Sequence, residues 1–223
     1  MKDIIIAPSI LASDFLHLED EIRRVEKAGL GWIHFDVMDG HLVNNISFGI
    51  PLLKAINECT ALIKDVHLMI ANPKKYAKAF IENGADYITF HYEAMESERE
   101  IVELIDLIHD EGKKVGISIK PSTEIEKIFP YLPLVDMVLV MSVEPGFGGQ
   151  EFIVSSTLKI MKLKDYLNTH EGVDFLIEVD GGINDVTGPV CLYYGANVLV
   201  AGTYLFKSLD MKEAASELIL KHE

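Results

Sequence analysis

Short apolar runs rich in β-branched residues alternate along this chain with longer stretches in which apolar positions recur every three or four residues. The runs that read as strands are 4–9, 32–38, 63–70, 87–91, 115–119, 137–143, 175–180 and 198–202, and each is followed by a stretch of helical period. Strict strand–helix alternation predicts a parallel sheet, because parallel neighbours need a crossover connection. Eight such units in 223 residues predict an α/β fold, a closed eight-stranded (β/α)8 TIM barrel, with residues 1–223 as one domain.

Helix punctuation agrees with that division. Asn72-Pro73 places an N-cap before a proline at the first helical position, and the segment ends at Gly84. Ser97 with Glu100 reads as a capping box whose helix stops near Gly112; Thr123 with Glu126 reads as a second box before Pro130. Gly84-Ala85-Asp86-Tyr87-Ile88 and Gly195-Ala196-Asn197-Val198-Leu199 both turn from a helix end into a strand, an internal echo of the repeating unit.

Side chains alternate faces along a strand, so residues two apart point the same way. In 32–38 the apolar Ile33, Phe35 and Val37 suit the face under the helices, which turns Trp32, His34, Asp36 and Met38 into the barrel. In 63–70 Val66, Leu68 and Ile70 face out while His67 and Met69 face in; in 175–180 Glu178 and Asp180 face in. Active sites of such barrels lie at the C-terminal strand ends, where His34, Asp36, His67 and Asp180 then converge. A lone inward histidine reads equally well as a hydrogen-bonded core residue. Four such groups at equivalent strand ends favour a divalent metal ion (Zn, Fe, Mn or Co), because unpaired buried charge is costly. Glycine-rich turns follow three late strands: Pro145-Gly146-Phe147-Gly148-Gly149-Gln150, Gly181-Gly182 and Gly202-Thr203. Glycine lets backbone N–H groups approach a ligand closely, and the loops after strands seven and eight of these barrels often bind phosphate. Plain turn chemistry explains any one of them; all three on one rim favour an anion site.

Composition narrows the field. With 49% hydrophobic residues the chain can bury a substantial core, and a net charge of −15 argues against nucleic acid, whose backbone is bound through Lys and Arg. A small phosphorylated ligand stays compatible, since main-chain N–H groups can hold an anion. Cys59 and Cys191 fit no paired pattern and read as small apolar filler in a reducing compartment. Met1-Lys2-Asp3 runs straight into an apolar strand without a signal-like n-region, and no apolar run approaches the roughly 20 residues that span a bilayer. The expectation is a soluble cytoplasmic protein with no membrane partner.

At these residues the chain resembles the ribulose-phosphate 3-epimerase family. The matching stretches are residues 7–15, the run His34-Phe35-Asp36-Val37-Met38-Asp39-Gly40-His41, then His67-Leu68-Met69, residues 140–150, Glu178-Val179-Asp180-Gly181-Gly182-Ile183-Asn184 and Ala201-Gly202. The resemblance implies a metal-dependent isomerase of the pentose phosphate pathway that interconverts D-ribulose 5-phosphate and D-xylulose 5-phosphate, an epimerase of carbohydrate metabolism. It implies metal ligands at His34, Asp36, His67 and Asp180, with Asp36 and Asp180 as the acid–base pair on opposite faces of the substrate. It implies substrate contacts at Ser9, His67, Gly146, Phe147, Gly148, Gly149, Gly181, Gly202 and Thr203, with Gly182 beside them, and a homo-oligomer is expected. Met38, Met69 and Met141 read as polarizable pocket walls or as ordinary core filling.

Leu42, Asn44 and Lys120 depart from the family pattern, which has an aromatic residue, a proline and an asparagine there, and Thr203 replaces serine. His91 ends its strand facing in and reads as a structural hydrogen-bonding residue; Glu178 should lie one layer below Asp180. His17, His109, His170 and His222 read as surface residues, His41 as a loop residue, and Glu93, Glu96, Glu98 and Glu100 as a solvated helix entrance. Rival readings are an allulose-6-phosphate 3-epimerase and a non-catalytic sugar-phosphate-binding barrel. The hexulose-phosphate synthase type carries D-x-K-x-x-D on the third strand, where this chain has Lys64-Asp65-Val66-His67-Leu68-Met69.

Overall fold

Period-two alternation in the strands and helical period between them produce eight parallel strands ringed by helices. A computed structural model describes residues 3–220; Met1, Lys2 and His222 lie outside the described residues. The first half runs β1 (Ile5–Pro8), α1 (Leu18–Lys27), β2 (Trp32–Met38), α2 (Ile50–Cys59), β3 (Ile63–Met69), α3 (Pro73–Glu82), β4 (Tyr87–His91) and α4 (Glu98–Asp110). The second runs β5 (Lys114–Ile119), β6 (Met137–Met141), α5 (Ser156–Thr169), β7 (Leu176–Asp180), α6 (Thr187–Tyr194), β8 (Val198–Ala201), α7 (Thr203–Phe206) and α8 (Met211–Glu217). Strand order around the sheet is β1-β8-β7-β6-β5-β4-β3-β2, every pair parallel. β1 and β2 meet through the single parallel bridge Ser9–His34, which nearly closes the (β/α)8 barrel.

Helix ends follow their caps. The Asn72 side chain accepts from Lys75 N at 3.1 Å and Pro73 opens α3. Ser97 Oγ accepts from Glu100 N at 3.3 Å, while the Glu100 carboxylate reaches back to Glu96 N at 2.9 Å, one residue before the usual box partner. The box expected at Thr123 and Glu126 does not form. The crossover after β5 is a 3₁₀ run, Ile125–Leu134, containing Pro130 and Pro133, and the Thr123 hydroxyl is spent on Glu93 Oε1. Two prolines remove the N–H groups an α-helix would need there.

Two layers of packing hold the barrel. The outward strand residues, such as Phe35, Leu68, Phe90, Ile117 and Val179, are completely buried under the helices in one continuous apolar cluster. Burial of each such side chain contributes about 1.5–3 kcal/mol. Inside, the bottom is filled by Trp32, Ala7, Met137 and Val198, and the upper layers turn polar. Among the described residues no helix is long and apolar enough to cross a membrane.

Candidate active site

The pleat delivers the polar groups layer by layer. In the parallel register Asp36 stands beside His67, and His34 beside Asp65, while Asp180 stands beside Met141 on one side and Val200 on the other. His34 Nε2, Asp36 Oδ1 and His67 Nδ1 form a triangle with sides of 3.2, 3.3 and 3.4 Å, and Asp180 Oδ2 lies 4.0 and 3.9 Å from the two nitrogens. One ligand atom from each of the four residues falls within 4.8 Å of every other.

That triangle suits a cation. Metal–nitrogen and metal–oxygen bonds of about 2.0–2.2 Å around a tetrahedral ion give ligand–ligand edges near 3.3 Å. The electrostatics agree. Burial works against charge on His34, yet Asp36 and Asp65 beside it hold its imidazole well above the ordinary value. The pocket therefore favours a positive charge at this spot. Burial likewise opposes ionisation of Asp36, but the neighbouring His34 and His67 pull its carboxyl well below the usual range. Asp180 goes the other way: burial and then the Asp36 charge push it up to about 7. Burial lowers His67 to about 4, so its neutral form, the metal-binding one, is preferred. The donor chemistry fits a divalent ion with mixed nitrogen and oxygen ligands.

Above this cluster opens a cavity of about 310 Å³. Ser9, Asp36, Met38, Met69, Met141 and Asp180 line its interior, with Gly146, Phe147, Gly148, Gly149, Gly181, Gly182, Gly202 and Thr203 around the rim. His34 and His67 are fully buried beneath it. Phe147 is 58% exposed at the mouth. Gly181 and Gly182 have φ of +123° and +65°, and a Cβ on Gly182 would stand 2.7 Å from Phe152 N, so this turn requires glycine. The N–H groups of Gly182, Gly202 and Thr203 donate to no protein acceptor among the described residues. Neither Lys nor Arg lines the cavity.

Several contacts around the cluster were not in the sequence reading, although Ser9 and Glu178 themselves were. Ser9 Oγ donates to Asp36 Oδ2 at 2.6 Å, a tie between β1 and β2 that parity cannot disclose. Asp65 Oδ2 lies 2.6 Å from His34 Nδ1; its inward position follows from parity two residues before His67. Glu178 does lie one layer below Asp180, fully buried, and its carboxyl is pushed well above the ordinary value by burial and by the Asp65 charge. Glu93 corrects the reading of a solvated acidic cluster. Its side chain is only 19% exposed, turned back under the loop after β5, and it accepts from Lys120 N at 2.8 Å and from the Thr123 hydroxyl. Two departures from the family pattern touch each other: Lys120 Nζ donates to Leu42 O at 3.2 Å. The β2 loop is also tied to the rim, where Asn45 Nδ2 donates to Gly146 O at 2.7 Å.

Comparison with known proteins places this geometry in context. The model of the ribulose-phosphate 3 epimerase family matches residues 5–206. The chain is 44% identical over 213 residues to ribulose-phosphate 3-epimerase of Bacillus subtilis (strain 168), covering 96% of this chain and 97% of that protein. It is 43% identical over 223 residues to the enzyme of the same name from Eremothecium gossypii, covering 95% and 90%. Among solved structures, the fold is shared with 3-hexulose-6-phosphate synthase from Salmonella typhimurium (TM-score 0.66, 18% identity, 97% of each chain). It is shared too with the tryptophan synthase A-subunit from Pyrococcus furiosus (TM-score 0.68, 14% identity, 97% of each chain).

Proposed function

The chain belongs to the ribulose-phosphate 3-epimerase family and is an epimerase of that family; from that premise we propose that it interconverts D-ribulose 5-phosphate and D-xylulose 5-phosphate, a step of the pentose phosphate pathway, by moving a proton at carbon 3 between two aspartates. The observation that carries this reading is the opposed pair itself. In the metal-free site Asp36 is held ionised and Asp180 is pushed up to about 7, with one ligand atom of each carboxylate within 4.8 Å of the other at one cavity floor. A base and an acid that differ in this way, poised near neutrality, are what general acid–base transfer requires.

Inversion at carbon 3 means taking a proton alpha to a ketone and returning one on the opposite face, through an enediolate. Asp36 takes the proton from one face and Asp180 gives one to the other; the reverse reaction exchanges the roles. The Ser9 hydroxyl, donating to Asp36 Oδ2, leaves Oδ1 to face the other donors and fixes the carboxylate plane. His34, Asp36, His67 and Asp180 would hold the divalent ion, whose contribution is Lewis-acid stabilisation of the negative charge that develops on the substrate oxygens. Met38, Met69 and Met141 surround the reacting carbon with groups that do not titrate, so no other proton donor competes. The substrate phosphate is held by the N–H groups of Gly182, Gly202 and Thr203, closed over by the 146–149 loop.

The test is deuterium exchange. Metal-replete protein in D₂O should place deuterium at carbon 3 of D-ribulose 5-phosphate, and Asp36→Asn and Asp180→Asn should each lower kcat/KM by about 10³-fold or more, each replacing one acid–base group. Wild-type protein that binds the sugar phosphate without any exchange would mark a binding barrel instead. Faster turnover of the six-carbon ketose phosphate would reassign the substrate.

A further inference from the structure

A chain of three side chains leads from the cluster toward the surface, and the reaction described above uses only its first member, His67. His67 Nε2, on the edge of the ring away from Asp36, lies 2.9 Å from His91 Nε2. The ring centroids are 5.0 Å apart and the planes differ by 23°, which puts the imidazoles edge to edge rather than face to face. His91 Nδ1 lies 3.2 Å from Glu93 Oε2. Glu93 Oε1 is occupied by Lys120 N at 2.8 Å and by the Thr123 hydroxyl. Both imidazoles are completely buried.

Hydrogen-bond logic now propagates in one direction. An ionised carboxylate only accepts, and Glu93 is ionised: despite burial, its bond to His91 pulls it down to about 2. His91 Nδ1 must therefore donate. When His91 Nε2 is the acceptor, His67 Nε2–H is the donor across the 2.9 Å contact, which is the arrangement that a cation at His67 Nδ1 requires. His67 in turn has its Nδ1 lone pair free, and that atom is the one 3.3 Å from Asp36 Oδ1 and 3.4 Å from His34 Nε2. His34 is tied in the same manner at its far nitrogen by one acid directly, with Nδ1 2.6 Å from Asp65 Oδ2.

We propose that Glu93, acting through His91, is a positioning residue that fixes the tautomer of His67 and so aims its Nδ1 lone pair into the metal site. The carboxylate that orients a metal-bound histidine normally touches it directly; here a second imidazole is interposed, and the acid sits where the loop after β5 folds over β4. The 3₁₀ turn Tyr92–Ala94 after β4 brings Glu93 there, while Lys159 Nζ donates to Lys120 O, Pro121 O and Thr123 O at 2.9, 2.8 and 2.6 Å and pins the loop that carries the donors to Glu93. The inference rests on the metal-site reading, and the experiment separates the two.

Glu93→Gln is the informative change, because an amide has one accepting and one donating end whereas both carboxylate oxygens here accept. Nitrogen-detected tautomer assignment in the metal-free wild type should find His67 protonated at Nε2 and bare at Nδ1, and His91 protonated at Nδ1. Glu93→Gln should disturb that pattern at both rings and weaken Zn²⁺ binding, read by chelator competition, by about 10- to 100-fold. A merely structural role for Glu93 would lower thermal stability and leave the tautomers alone. A wild type with His67 protonated at Nδ1, or a folded Glu93→Gln protein that binds Zn²⁺ as tightly as wild type, overturns the proposal even if the metal site stands. Wild-type protein that fails to bind Zn²⁺ overturns both.

Discussion

At Asp180 burial and the neighbouring Asp36 charge act in the same direction, both favouring the proton and lifting the carboxyl from 3.8 to about 7. A raised acid contributes stability that is fully present below its unfolded value and lost as pH rises through its folded value. Asp180 therefore withdraws stability from the metal-free protein as pH climbs from about 4 to about 7, while His67, lowered from 6.5 to about 4, contributes a slope of opposite sign between those two values. Asp36, held below the usual range, has the opposite sign, but its window lies at more acid pH and does not cancel this slope. Thermal unfolding of metal-free wild type beside Asp180→Asn isolates the Asp180 part: the stability difference between the two should move against the wild type as pH rises from about 4 to about 7, and a difference that does not change with pH would place the proton elsewhere. Saturating divalent ion should reverse the trend, since it binds the ionised form. The four ligand candidates were legible because strand parity needs only a run of residues. Glu93 was not, because it follows a strand on a 3₁₀ turn, where neither period applies and the sequence offers only its place among four nearby glutamates.

Strands read more accurately than the segments joining them. β2 and β4 have the bounds that period-two alternation predicts, and the other strands differ from them only at their ends. The crossover after β5 was misread because a hydroxyl three residues before a glutamate has the same local pattern whether it caps a helix or serves a distant acid. Register also carries information that no single strand contains. Thr89 on β4 stands directly beside Gly116 on β5, and a Cβ on Gly116 would lie 2.2 Å from Thr89 Oγ1. That hydroxyl is buried with no hydrogen-bond partner, so its bulk rather than its polarity decides the pairing. Gly116→Ala should cost about 1–3 kcal/mol as an overpacking change. In a Thr89→Ala background most of that cost should vanish, because the clashing atom is gone. Urea unfolding of the four proteins in the cycle measures the coupling; additivity would mean that the backbone, not the side-chain contact, resists the methyl.

For the molecule as a whole, the eight-fold count of strand–helix units gives the barrel, and the barrel alone fixes which strand ends meet. What sequence composition adds is the field in which the substrate must arrive. The net charge is −15, and the cavity is lined by neither Lys nor Arg. On the proposed function, a phosphorylated sugar would approach against the long-range potential and be held at the end by short-range contacts to main-chain N–H groups and to a divalent ion. Salt screens the first far more than the second, since the Debye length falls to about 10 Å at 0.1 M. The proposed epimerase should consequently show a KM for D-ribulose 5-phosphate that falls as ionic strength rises from about 0.02 to about 0.2 M, the reverse of an enzyme that steers its anion with basic side chains. Initial rates over a NaCl series at constant metal saturation test this. A KM that climbs with salt would mean that a positive local field at the mouth outweighs the acidic surface, and that the phosphate is held by side chains remote from the glycine rim.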